Sequence, residues 1–246
     1  MIRSRFLRAL VPVLFMLPLL SGTASPFAVP EKLVFDLTWT GISTGTATLE
    51  TMADDSAVRI VSTTRSAAWV SVFFTVDDRV EAQLRRTSSQ TPGPPKQYRA
   101  RLREGNYLRD KEVIFDHAGR KATFVDHITG EKRQLPIQGN VLDPLSGFYY
   151  VRSLKMAPPG SVFVNIFDDK RSWTVEVRVL RRERIRTKLG EFNTIVIKPL
   201  MKSEGTFNRK GDMFIWLTDD ERHLPVKVKT KVIVGSVTAT LAGGTY

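Results

Sequence analysis

Apolar and polar side chains alternate along most of this chain with a period of two. Leu33, Phe35, Leu37 and Trp39 stand against Lys32, Val34, Asp36 and Thr38, the pattern of an extended strand with one buried face. The same reading predicts strands at Val58 to Ser62, Val76 to Leu84, Tyr98 to Arg103, Val113 to Phe115, Val162 to Phe167, Trp173 to Val179, Phe192 to Ile197, Met213 to Leu217 and Val226 to Val234. Asp54-Asp55, Asn106, Asp116-His117-Ala118-Gly119, Asp168-Asp169, Gly190 and Asp219-Asp220 separate them. Asp and Asn close turns with their own side chains, and Gly accepts positive φ. About ten to thirteen strands on short turns predict a mainly β fold: an antiparallel roll, sandwich or open barrel. The loop Thr87 to Lys96, with Pro92-Gly93-Pro94-Pro95, is expected to stay out of the sheet interior.

One segment departs from this rhythm. Asp143-Pro144, followed by Leu145, Phe148, Tyr149, Val151, Arg152 and Leu154, predicts one short helix near residues 144–154. Asp is its N-cap, Pro its first helical residue, and Pro158-Pro159-Gly160 lies beyond its end. Ala67 to Phe74 suits a short helical turn or a strand equally.

The amino terminus reads differently again. Arg3, Arg5 and Arg8 precede the apolar run Ala9 to Leu20, and Ser21-Gly22-Thr23-Ala24 follows with small residues. This is the three-part pattern of a signal peptide over residues 1–24, cleaved near Ala24, which leaves 25–246 as a single β-rich domain. A helix needs about 20 apolar residues to cross a bilayer, and this run is shorter and holds Pro12 and Pro18. The chain has no Cys, so disulfides, thiolate chemistry and a lipidated cysteine are all excluded.

Four blocks resemble a known family. Leu33-Val34-Phe35-Asp36-Leu37-Thr38-Trp39-Thr40-Gly41-Ile42 with Gly45 opens the series. Asp143-Pro144-Leu145-Ser146 with Tyr149-Tyr150-Val151-Arg152, and then Thr187-Lys188-Leu189-Gly190-Glu191-Phe192, continue it. Trp216-Leu217-Thr218-Asp219-Asp220 with Leu224-Pro225-Val226 ends it. Together they are similar to the exported bacterial family catalogued as domain of unknown function 3108. The resemblance implies an envelope protein rich in β-structure and carries over no catalytic residue, and export by the cleaved signal peptide makes the periplasm the expected location.

The residues themselves offer little chemistry. Ser146 lacks the second Gly of a nucleophile elbow, and neither a His-Glu-x-x-His pair nor a phosphate loop occurs. His117, His127 and His223 stand far apart beside turn residues, which reads as surface turns rather than a metal site. The doublets Asp77-Asp78, Asp168-Asp169 and Asp219-Asp220 read as turn formers. No cofactor, metal or catalytic residue is therefore expected. A glycan-active enzyme would have to draw on Asp219 and Asp220 beside Trp216.

Charge changes the picture most. The chain carries 37 Lys and Arg against 25 Asp and Glu, a formal net charge of +12. Three predicted strands concentrate it. Arg178, Arg182, Arg184, Arg186 and Lys188 occupy even positions against apolar odd ones, Arg99, Arg101 and Arg103 alternate with Tyr98, Ala100 and Leu102, and Lys227, Lys229 and Lys231 alternate with Val226, Val228 and Val232. In an extended strand each set points to one side. Shared on one face, the three ladders would attract polyanions in a salt-dependent way; scattered, they only keep outer faces soluble. In an exported bacterial protein the polyanions are anionic lipid, lipopolysaccharide and acidic glycan rather than nucleic acid. The expected role is non-catalytic binding of an anionic or amphipathic envelope component, or of an envelope partner protein, with peripheral membrane contact. The alternative is a lipid carrier with a hollow apolar interior lined by Phe35, Trp39, Phe73, Phe74, Phe148, Tyr149 and Trp216. A membrane-spanning barrel is disfavoured because residues 178–188 place charges on both faces, which lipid does not accept.

Overall fold

The computed structural model describes residues 29–87, 92–168, 170–200, 212–232 and 234–246. The expected signal peptide lies outside them. Strands β1 (Glu31–Trp39), β2 (Ile42–Ala53), β3 (Ala57–Ser66), β4 (Asp77–Arg85), β5 (Pro95–Glu104), β6 (Tyr107–Asp116), β7 (Lys121–Asp126) and β8 (Lys132–Pro136) pair in chain order as an antiparallel meander. A second meander holds β9 (Gly160–Asp168), β10 (Arg171–Thr187), β11 (Gly190–Leu200), β12 (Met213–Thr218), β13 (Pro225–Lys231) and β14 (Ser236–Thr245). Pairing of β14 with β1 fuses the two into one 14-stranded antiparallel sheet with β8 and β9 at its edges.

The two edges approach each other without pairing. The segment after β8 crosses between them, and Leu142 exchanges backbone hydrogen bonds with Asn165 and Phe167 of β9 at 2.9 and 2.8 Å. The sheet is thus an open barrel whose seam is closed, among the described residues, by one backbone bridge. Helix α2 (Pro144–Arg152) follows at once and packs inside between β9 and β4. Its start is the one expected from sequence: Asp143 accepts from the backbone N–H groups of Leu145 and Ser146, and Pro144 stands at the first position.

The inner face follows the period-two pattern. Leu33 and Phe35 of β1, Ile60 of β3, Ala82 and Leu84 of β4, Ala100 of β5, Val113 of β6, Phe124 of β7 and Leu241 of β14 form one buried cluster with Tyr149 of α2. Val164 and Ile166 of β9, Val175 and Val177 of β10, Ile195 and Ile197 of β11 and Ile215 of β12 form a second with Val151.

Four strands go beyond the sequence reading. β2, β7, β8 and β14 place few large apolar residues inward: Phe35 faces Ala47 on one side and Leu241 on the other, so a bulky residue on β1 fills space that its neighbours leave. The Pro-rich loop also ends earlier than expected. Pro95 begins β5 opposite a bulge at Gln83/Leu84, a position where a missing N–H removes no ladder bond. Ala67 to Phe74 resolves as a short helical turn, α1 (Ala68–Ser71).

Candidate functional site

Barrel and helix together create a sealed end and an apolar groove. At the sealed end Arg152, the last residue of α2, extends its guanidinium to Glu31 at the start of β1. Nη1 donates to Oε1 and Nη2 to Oε2, both at 2.8 Å, and both side chains are fully buried. Nε donates to the His223 carbonyl at 3.1 Å, and His223 Nδ1 lies 2.6 Å from the Arg152 carbonyl. Tyr149 donates its hydroxyl to Glu31 Oε1 at 3.1 Å, and its ring stacks under the guanidinium at 4.7 Å. Burial opposes the charge on Arg152, yet hydrogen bonding to and attraction by Glu31 outweigh it and hold the guanidinium above its ordinary pKa. Burial pushes the Tyr149 phenol up. The charged and polar groups of this cluster are buried and hydrogen-bonded to one another. The arrangement is a latch joining helix, β1 and the β12–β13 turn.

His223 is therefore not the surface turn histidine expected: it is buried, at 9% exposure. The other two remain near turns, with His127 Nε2 2.6 Å from Glu112 and His117 Nε2 2.8 Å from the Pro95 carbonyl. Among the described residues no group of three or more His, Asp and Glu is placed to hold a metal ion. Asp220 caps its own turn by accepting from the Thr218 hydroxyl and the Arg222 and His223 amides, and Asp219 pairs with Arg182.

The groove runs between α2 and the inner faces of β9 to β12. It encloses about 330 Å³, and its walls include Phe148, Val151, Val164, Val177, Met213 and Ile215. None of its lining residues carries a charge. Gly147 lets the helix lie close there, since a Cβ would come within 2.2 Å of the Ile166 Cδ1. Near one end of the groove Trp173, two residues before Val175 on the same face of β10, has its indole N–H buried without a partner, and the Arg171 guanidinium lies 4.9 Å from its ring. Of the aromatics proposed for a hollow interior, only Phe148 lines this groove. Phe35, Tyr149 and Trp216 are buried, and Trp39, Phe73 and Phe74 are exposed at one end of the barrel.

The basic ladders divide. Residues directly opposite in neighbouring strands share a face. Val179 stands opposite Ile197, and Arg182 opposite Ile195. Ile195 and Ile197 are two apart and share a face, so Val179 and Arg182, three apart, share it as well. The extra residue is the bulge at Leu180. Arg178 consequently points outward while Arg182, Arg184 and Arg186 continue the inner side, past the ends of β9 and β12, on a two-stranded overhang. Carboxylates accompany them: Arg178 with Glu176, Arg182 with Asp219, Arg184 and Arg186 with Glu191, and Lys188 with Asp36 of β1.

Arg99, Arg101 and Arg103 of β5 and Lys227, Lys229 and Lys231 of β13 do lie on the outer face, opposite to Ala100 and Val228. Six strand steps separate the two sets, roughly 29 Å along the sheet. Arg99 is held by Asp110 at 2.9 Å, which raises the guanidinium and lowers the carboxyl. Arg101 faces Arg79 across β4 and Asp110 across β6. Lys227 lies over the Trp216 ring at 4.9 Å. The basic residues thus share no single face: the bulge splits the β10 set, and the β5 and β13 sets stand apart on the outer side.

An open antiparallel barrel around a capped helix places the protein among β-barrel-like folds. Residues 34–242 match the family described as Protein of unknown function (DUF3108), and the chain belongs to that family. No curated protein matches it. Among solved structures the chain is similar to the crystal structure of a beta-barrel-like protein of domain of unknown function DUF1849 from Brucella abortus. The identity is 11%, with 88% of this chain and 97% of that chain covered and a TM-score of 0.56. At that identity the likeness concerns the fold alone.

The latch is not among the features expected from sequence, although the chain carries a signal for it. Glu31 is in phase with Leu33 and Phe35, and Arg152 follows Tyr149 by three on the apolar stripe of α2. A charge placed among core positions calls for a buried partner.

Proposed function

We propose that this protein binds an amphipathic molecule without transforming it, holding an acyl chain in the groove between α2 and β9 to β12. The observation that carries this reading is the uncharged lining of that groove. Its volume falls at the lower end of the range for small-molecule sites, about 300–1,000 Å³. The buried, unpartnered indole N–H of Trp173 beside Arg171 supplies a donor and a cation where a polar or anionic headgroup would sit. In an exported bacterial protein, the location we propose from the signal peptide, such a ligand would be an envelope lipid. The outer cations Lys227, Lys229 and Lys231 then serve attraction to anionic surfaces rather than a closed anion site.

A fluorescent fatty-acid probe tests the reading. The protein should take it up, and unlabelled palmitate should displace it. Met213→Trp, which fills the groove at a half-exposed position, should weaken uptake at least tenfold while leaving the urea midpoint unchanged. Absence of uptake by the unmodified protein, or full uptake by the variant, would overturn it.

A further inference from the structure

Because neighbouring strands are antiparallel, β1, β3, β5, β7 and β13 all finish at the same end of the barrel, opposite the Glu31–Arg152 latch. The turns at that end carry most of the exposed large apolar residues. Trp69, Val72, Phe73 and Phe74 stand on the β3–β4 connection, Tyr107 follows the β5–β6 turn, and Val234 lies in the β13–β14 turn. Phe73 is 86% exposed and Val72 76%. Toward the opposite end, among the described residues, Met52, Leu189 and Tyr246 are exposed at turns or beyond a strand end, and Ile114 and Phe163 singly on strand faces. Solvent-exposed apolar residues scattered singly need no explanation, but concentration at one end does.

These turns form one continuous rim. The Gly105 amide donates to the Thr75 carbonyl at 2.7 Å, Ala67 donates to Thr44 at 2.7 Å, and the Trp39 indole donates to the Val234 carbonyl at 2.8 Å. Gly105, at φ +60°, also yields its Cβ space to the Phe74 ring, which would otherwise be 2.7 Å away. Phe73 and Phe74 donate their amides to Val70, so the exposed side chains stand on a hydrogen-bonded scaffold.

We propose that this rim docks into the interfacial layer of a phospholipid bilayer. Residues 67–76 contain no charge, and Trp, Tyr and Phe are the side chains that partition to that layer. Just behind them on the strand ends stand Arg65, Arg101, Arg103, Arg109, Lys229 and Lys231 against Asp77, Asp78, Glu104, Asp110 and Asp212, a small cationic excess suited to anionic headgroups. Apolar tips on several separate turns fit a fluid surface, which closes around each one. The groove opens on this side, since Pro199 and Met213 lie where β11 finishes and β12 begins. Docking would therefore bring the groove mouth to the bilayer, a step that rests on the reading of the groove as an acyl-chain site.

The test uses protein recovered from cells expressing the full chain. Its probe is vesicles of phosphatidylethanolamine with phosphatidylglycerol, compared with phosphatidylcholine alone. The protein should sediment with the anionic vesicles, less so as salt rises. The double variant Val72→Ser, Phe73→Ser should bind them at least tenfold more weakly, with an unchanged unfolding midpoint and unchanged fatty-acid uptake. Phe73→Trp should retain binding. Vesicle binding unaltered by the double variant would overturn the proposal. So would self-association that the double variant abolishes without any vesicle binding, which would make a second copy the partner. Met213→Trp separates the two readings: it should lose the fatty acid and keep the vesicle, so failure of the groove leaves the rim standing.

Discussion

Arg152 and Glu31 set a constraint that a few residues can probe. Two charges taken out of water are expensive, and their mutual attraction repays this only when hydrogen bonds are complete, as they are here. Removing one partner strands the other. Arg152→Met should lower the unfolding free energy by about 3–5 kcal/mol in urea titration. Glu31→Met combined with Arg152→Met should recover most of that loss, the remainder being the contacts that the Tyr149 hydroxyl and the His223 and Arg222 carbonyls lose. A double variant no better than the single one would mean that the pair itself, not the stranded charge, holds the fold. At this scale the sequence was readable where burial is apolar and misleading where it is polar. His223 looked like a turn residue because its neighbours Asp220 and Glu221 are, and the tie to Arg152 spans 71 residues of chain.

Elements were legible to the extent that their signals are local. The α2 cap needs only Asp143 and Pro144, so it could be read directly. The turn between β10 and β11 was equally open, with Gly190 at φ +119°. The bulge at Leu180 was not, because alternation in residue type continues straight through it: basic residues fall on even positions before and after, while the backbone has changed sides. Counting residues cannot reveal an unpaired one. β2 and β14 escaped for a different reason, since Gly, Ala and Thr facing a crowded interior leave no apolar stripe. The helix cap also carries a titration. Burial pushes the Asp143 carboxyl up to about 6, against the donors at the helix start that favour its charge. A carboxyl whose pKa rises on folding stabilises fully below its unfolded value and loses that contribution as pH climbs through the folded one. Stability should therefore decline between about pH 4 and about pH 7, and Asp143→Asn, which retains the capping oxygen but cannot ionise, should flatten part of the decline. Asp78, also pushed up to about 6 chiefly by burial, should account for some of what remains. Equal slopes for variant and parent in urea midpoints across that range would contradict the assignment.

Across the whole molecule the decisive relation is between the two edges. A meander of this length leaves β8 and β9 with unpaired backbone, and edges of that kind invite association with other chains. The bridge at Leu142 is what keeps β9 covered. Leu142→Pro removes the N–H that bonds Asn165 and restricts the backbone that receives Phe167. It should raise the hydrogen-exchange rate of the Phe167 amide and promote aggregation, while amides of β1 and β14, in the middle of the sheet, change little. Unaltered exchange at Phe167 would show that the seam closes by side-chain packing alone. None of this long-range closure was visible in composition or periodicity, which predicted a mainly β roll, sandwich or open barrel but neither which of the three forms nor where it opens.

The latch has one more implication. On the proposed reading of the groove, a barrel stoppered at one mouth by Arg152 and Glu31 is a cup and not a pipe: an acyl chain would leave by the doorway it entered. Loading and unloading then compete for one threshold, and the direction of travel is decided by the surface the cup meets and not by the cup.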